Sequence, residues 1–199
     1  MNWIDFVGRF PPGVPFTPRQ AGLFYPGIHL KSVRQNIFNW TRQGRLLKLR
    51  RDLYVVRSSA LDARYLANRI YEPSYISLEY ALSRYGLIPE AAFGVTSVTV
   101  NKTARFETPV GLFSYRHLKR DYYFGYRLEN GVLIAEREKS LIDYFYFHLE
   151  EVRFDRRYLD SLRLGTWEAL NRKKLRGYLE RIPVKKLSDF IEFCLARYE

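Results

Sequence analysis

Two stretches of the chain concentrate side chains able to do chemistry. The first is "AEREKSLIDY", which sets Glu136, Glu138, Lys139 and Asp143 within eight residues. Carboxylates beside a lysine are the groups with which a nuclease holds a metal and steadies a phosphate. The usual nuclease spacing places an acid two residues before the lysine, and here that position is Arg137. A plainer reading fits as well: acids in the first turn of a helix complement its dipole, and Lys139 with Asp143 is an i, i+4 pair. No catalytic residue is therefore assigned, and the enzyme reading stands as an alternative. The second stretch is "VRQNIFNWTRQGRLLKLRRDLYVV". With its immediate flanks, from Lys31 to Arg57, it carries Lys31, Arg34, Arg42, Arg45, Lys48, Arg50, Arg51 and Arg57 against one acid, Asp52, together with Gln35 and Asn39. Arginine pairs bidentately with guanine, and asparagine or glutamine with adenine, whereas lysine and arginine on the flanks neutralise phosphates.

The second stretch needs a helix and a hairpin to position it. Val33, Ile37 and Trp40 fall on one helical face, and Lys31, Gln35, Asn39 and Arg42 cluster opposite, flanked by Arg34. The spacing predicts a helix to about Gln43, stopped by Gly44. Its start is either at Ser32, in a capping box with Gln35, or a turn earlier near His29. Leu47, Leu49, Leu53 and Val55 then follow strand spacing around a turn at Arg50, Arg51 and Asp52. Upstream, Trp3, Phe6, Val7 and Phe10 share a helical face, and Thr17 before Pro18 starts a short second helix. Helix, helix, basic helix and basic hairpin is the order of a winged helix-turn-helix, with Arg50 and Arg51 at the wing tip. A solvated amphipathic helix explains Val33, Ile37 and Trp40 equally well, but not the scarcity of acids.

Charge supports the polyanion reading. The chain of 199 residues carries a formal charge of +12. Residues 1–60 hold ten basic side chains and two acids, for +8, and the remainder holds 23 and 19, for +4. A cationic segment on an otherwise balanced chain suggests a polyanionic partner. Hydrophobic residues at 47% and aromatic ones at 17% suffice for a core. One cysteine, Cys194, excludes an internal disulfide and fits a reducing cytoplasm. The start "MNWIDFVGRFPPG" does not read as a signal peptide, and no apolar run is long enough to span a membrane. His29, His117 and His148 lack partners at metal-ligand spacing, and no glycine-rich phosphate loop appears, so no metal or cofactor is expected.

Beyond Ser59 the composition changes. Helices are predicted over "ALDARYLANRIY", from Ser77 through "SLEYALSRYGL", over "EREKSLIDYFYFHLE", and again from Asp155 through "TWEALNRKKLRGYLERI" and "VKKLSDFIEFCLARY". "FGVTSVTV" and the segments around "TPVG" read as strands, and Asn130-Gly131 as a hairpin turn. The expected fold class is α+β: a winged helix-turn-helix at 1–58, then a mixed helix and sheet domain at 59–199 with C-terminal helices. Aromatics in strands 93–127 leave an RNA-stacking module as a further alternative.

"FTPRQAGLF" and "NWTRQGRLLKLRRDLYVV" resemble the N-terminal winged helix of AbiEi-type antitoxins, from type IV toxin–antitoxin and abortive-infection systems. "YISLEYALSRYGLIPE", "VTSVTVNKTARFETPVGLFSYRHLKRDYYFGYR" and "IAEREKSLIDYFY" resemble that family's central region, in order and at similar spacing. The likeness covers about residues 16–150. It departs at Asp52, where many relatives carry glycine, and no motif matches beyond residue 150. The resemblance implies a bifunctional antitoxin. Its winged helix would bind duplex promoter DNA and repress the operon, and the rest would counteract a nucleotidyltransferase-type toxin, by direct contact or otherwise.

Overall fold

The computed structural model describes residues 1–165 and 167–197. The N-terminal part is built from α1 (Trp3–Arg9), α2 (Pro18–Leu23), α3 (Leu30–Arg42) and a hairpin of β1 (Leu46–Arg50) and β2 (Leu53–Val56). Local chemistry sets each boundary. Asn2 caps α1 through the Ile4 and Asp5 amides, and Thr17 and Gln20 cap α2 reciprocally, with Pro18 at the first helical position. For α3 the cap is His29, whose ring accepts the Lys31 amide, so the helix starts a turn before Ser32. Gly44, at φ 71, lets the chain leave the helix in a left-handed conformation. Phe16 adds a single bridge beside Tyr54, so that the hairpin gains a third short edge. Phe6, Phe10, Phe16, Val33, Ile37, Trp40, Leu46 and Val56 form the core of this unit.

The second part is a six-stranded mixed sheet carrying helices. In chain order follow α4 (Ala63–Ile70), β3 (Ser74–Ile76), α5 (Leu78–Arg84), β4 (Val95–Thr99), β5 (Ala104–Thr108), β6 (Gly111–His117), β7 (Tyr126–Glu129), β8 (Val132–Ala135) and α6 (Arg137–Phe147), then α7 (Arg156–Leu162), α8 (Arg172–Glu180) and α9 (Lys185–Arg197). The strand order is β5-β6-β4-β3-β8-β7, with β3 parallel to β8 and β4 parallel to β6. The Asn130-Gly131 turn, both residues at positive φ, joins β7 to β8 as expected. The fold is thus α+β.

Three features differ from the sequence reading or add to it. The central strand β3 was not expected, because its three residues, "SYI", are too few to show a period. The segment "TWEALNRKKLRGYLERI" is not one helix: Trp167–Ala169 makes a 3-10 turn, and Asn171 caps α8 afresh. Its first residue, Thr166, and Tyr198 of the last predicted helix lie outside the described residues. The hairpin also has two jobs. Leu46 and Val56 face the N-terminal core, while Leu47, Leu49, Leu53 and Val55 on the opposite face join Leu66 and Ile70 of α4 and Phe113 and Tyr115 of β6. The opposite face of the sheet packs Tyr75, Val98 and Ala135 beneath Tyr146 and Phe147 of α6. On α6 itself, Phe145 joins Leu175, Leu187 and Phe190 of the C-terminal helices.

Candidate nucleic-acid interface

Val33, Ile37 and Trp40 anchor α3, at 0%, 1% and 7% exposure, so its other face points outward. On that face Lys31, Arg34, Gln35, Asn39 and Arg42 are all exposed, as the spacing required. Gln35 Nε2 donates to Asn39 Oδ1 at 3.1 Å, so the two amides on adjacent turns orient each other. Arg34 Nη1 reaches Asp52 Oδ1 at 3.2 Å and ties the helix to the wing turn. Asp52 takes φ 55, a left-handed conformation that aspartate tolerates better than most residues. Arg45 is exposed, with its guanidinium 5.4 Å from the Trp3 ring centroid. Lys48 is exposed at the middle of β1, opposite Tyr54. These cations share the helix face, the turn that follows it, and the hairpin.

One of the expected contacts is occupied elsewhere. Arg50 is half-buried at the end of β1: its Nε donates to the Ile70 carbonyl at 2.6 Å and its Nη1 to the Arg51 carbonyl at 3.3 Å. The carbonyl at the end of α4 draws the guanidinium back under the wing. Arg50 is therefore a strut between the hairpin and α4, and Arg51 alone of the two is exposed at the wing tip. Ser32, outside the cap, offers its carbonyl to the Asn36 side chain. One further residue of the outer face did not stand out in the sequence: Phe38, 54% exposed, with the Arg42 guanidinium 5.9 Å from its ring centroid. Its helical position would have found it.

The acid and lysine cluster of α6 faces inward. Lys139 and Asp143 are both 0% exposed and in direct contact. Lys139 Nζ donates to the Tyr75 hydroxyl at 2.9 Å, and the Tyr75 and Ser77 hydroxyls donate to Asp143 at 3.0 and 2.8 Å. Ser77, read as a helix start, spends its side chain here and makes no capping bond to α5. Burial pushes the Asp143 carboxyl up and the Lys139 ammonium down, and each partner opposes the other's shift. The backbone gives way to fit the lysine stem: at Gly125, φ 71, a Cβ would stand 3.0 Å from Lys139 Cγ. Glu138 accepts the Asn171 amide at 2.9 Å, and Glu136 meets Lys174 at 2.7 Å and the Tyr178 hydroxyl. All four side chains are thus committed to internal partners. The i, i+4 pairing of Lys139 and Asp143 is present, but in the core rather than on a solvated helix face.

The three histidines also meet groups of the chain itself. His29 caps α3, the His117 Nδ1 lies 2.9 Å from the Asn101 carbonyl, and the His148 Nδ1 lies 2.7 Å from the Tyr144 carbonyl. Among the described residues no three metal-ligating side chains gather, and no helix is long and apolar enough to cross a membrane. Of the aromatics between residues 93 and 127, Phe113 and Tyr115 are buried, Tyr123 and Tyr126 pack against buried Tyr75 with centroids 5.0 and 4.7 Å apart, and Phe93 is 94% exposed. Neither known family models nor curated proteins match this chain.

Proposed function

We propose that the protein is a DNA-binding repressor and antitoxin. It binds duplex DNA at its own promoter through α3 and the wing, and it counteracts a nucleotidyltransferase-type toxin through the domain that follows. The carrying observation is the exposed face of α3. Five amide or cationic side chains, Lys31, Arg34, Gln35, Asn39 and Arg42, stand on the outer side of a helix held by three buried residues, beside a wing with Arg51 at its tip. That pattern suits a major groove, with phosphates to the flanking cations. In this reading Arg50 holds the wing in place and does not contact DNA.

The antitoxin part rests on the sequence resemblance. The segments that carry it are neighbours in the fold: "YIS" supplies Tyr75 and Ser77, "EREKSLIDY" supplies Lys139 and Asp143, and all four meet in one buried network. These four side chains build a scaffold and offer no contact surface themselves. Catalysis at Lys139 and Asp143 is disfavoured by their complete burial. The test is a paired assay in cells carrying the neighbouring gene as the toxin. The full chain should restore growth and should lower expression of a reporter driven by its own upstream DNA. A Gln35→Ala, Asn39→Ala, Arg51→Ala variant should lose the second effect and keep the first. Absence of both effects in the intact protein contradicts the reading.

A further inference from the structure

Phe38 is the exception on the exposed face of α3. At about 100° per residue it falls within about 20° of Lys31 and about 40° of Arg42, in the middle of the polar side. Lys31, Arg34, Gln35, Asn39 and Arg42 around it carry polar ends that solvent or a polar partner satisfies. A phenyl ring has none, and only apolar surface compensates it. The ring is 54% exposed, and the Arg42 guanidinium lies 5.9 Å from its centroid. Ile37, the preceding residue, is 1% exposed and already fills the core, so Phe38 is not needed to anchor the helix.

We propose that Phe38 reads the C5-methyl group of a thymine in the major groove. This rests on the reading of α3 as the helix that enters duplex DNA. Among the unmodified bases, the thymine methyl is the one apolar group that a base edge presents in that groove, and phenylalanine is among the side chains that contact it. The neighbouring groups supply hydrogen bonds to polar edges, so Phe38 adds a discrimination they do not make. It also favours DNA over RNA, because uracil lacks the methyl and the A-form major groove is too narrow to enter. Arg42, on the next turn, keeps its fork beside the ring and available to an adjacent guanine.

The test uses duplexes that the full-length protein enriches from a random-sequence pool. Each thymine is then replaced in turn by deoxyuridine, which removes only the methyl. For the wild type, replacement at one or two positions should weaken binding about fourfold, the worth of burying one methyl group. Phe38→Ala should bind the thymine duplex more weakly and lose no further affinity on the same replacements. Phe38→Leu should keep the sensitivity. Circular dichroism should be unchanged in both variants, because the side chain is exposed. If no position is sensitive to the methyl, or if Phe38→Ala remains as sensitive as the wild type, the inference is overturned while duplex binding stands. If the wild type enriches no duplex at all, the DNA-binding reading falls and this inference falls with it.

Discussion

Lys139 and Asp143 sit one turn apart on α6, wholly buried, with Tyr75 and Ser77 completing their hydrogen bonds. A buried pair contributes little net stability over an apolar substitute, but breaking it strands a charge. Lys139→Met should therefore cost about 3–5 kcal/mol. Adding Asp143→Leu should recover part of that loss, leaving the unpaired hydroxyls of Tyr75 and Ser77. Urea midpoints of the two variants measure this, and a single substitution costing under about 1 kcal/mol would contradict the account. The wing turn makes an opposite case. Arg34 and Asp52 are both about half exposed, so their pair contributes only about 0–1 kcal/mol. Asp52→Asn keeps a residue that tolerates φ 55, removes the carboxylate that Arg34 meets, and in the proposed complex releases Arg34 to a phosphate. Duplex affinity should rise about threefold or more at low salt, with the salt slope steeper by about one. Unchanged binding would place Arg34 outside the interface.

At the scale of elements, the contacts of Glu136 and Glu138 show how the C-terminal helices are fastened. Burial raises the Glu136 carboxyl, but the Lys174 ammonium and the Tyr178 hydroxyl outweigh it and hold it below the ordinary glutamate value. A folded value below the unfolded one means that the stabilisation is present above the unfolded value and is lost as pH falls through the folded one. Glu136→Gln should therefore be less stable than the wild type by about 1 kcal/mol at pH 7, a charge-assisted hydrogen bond being worth somewhat more than a neutral one. The difference should vanish in acid, below the usual glutamate range. Thermal melts of both proteins across pH 3 to 7 check this, and a constant gap would rule out the carboxylate as the clamp. These contacts were not legible in the sequence, because Glu136 and Lys174 are far apart in the chain and nothing local links them. By contrast, α3 was legible nearly to the residue: Val33, Ile37 and Trp40 repeat at helical spacing, and Gly44 ends the run. β3 was not, because three residues carry no period, and its place at the centre of the sheet is set by pairing with β4 and β8.

For the whole molecule, charge and core divide the chain differently. The excess of cations ends near Ser59, and that shift suggested a boundary at residue 58. The apolar packing crosses it: Leu47, Leu49, Leu53 and Val55 lie in the same core as Leu66, Ile70 and Phe113, and Arg50 bonds the Ile70 carbonyl. Both faces of the hairpin are apolar in the sequence, but the partner of the second face was not visible there. A fragment beginning at Ser59 would leave Leu66 and Ile70 uncovered, so the two roles are better separated by surface substitutions than by truncation. The central claim, that the cationic face of α3 and the wing grip a duplex, is tested most directly by a salt titration of the intact protein on its own upstream DNA. The logarithm of the affinity should fall linearly with the logarithm of salt, with a slope of about −4 to −6 for five or six phosphate contacts, and Gln35→Ala with Asn39→Ala should leave that slope intact while narrowing the gap between the promoter and random DNA. Binding that ignores salt, or that is equally tight on random DNA for the wild type, would contradict the account.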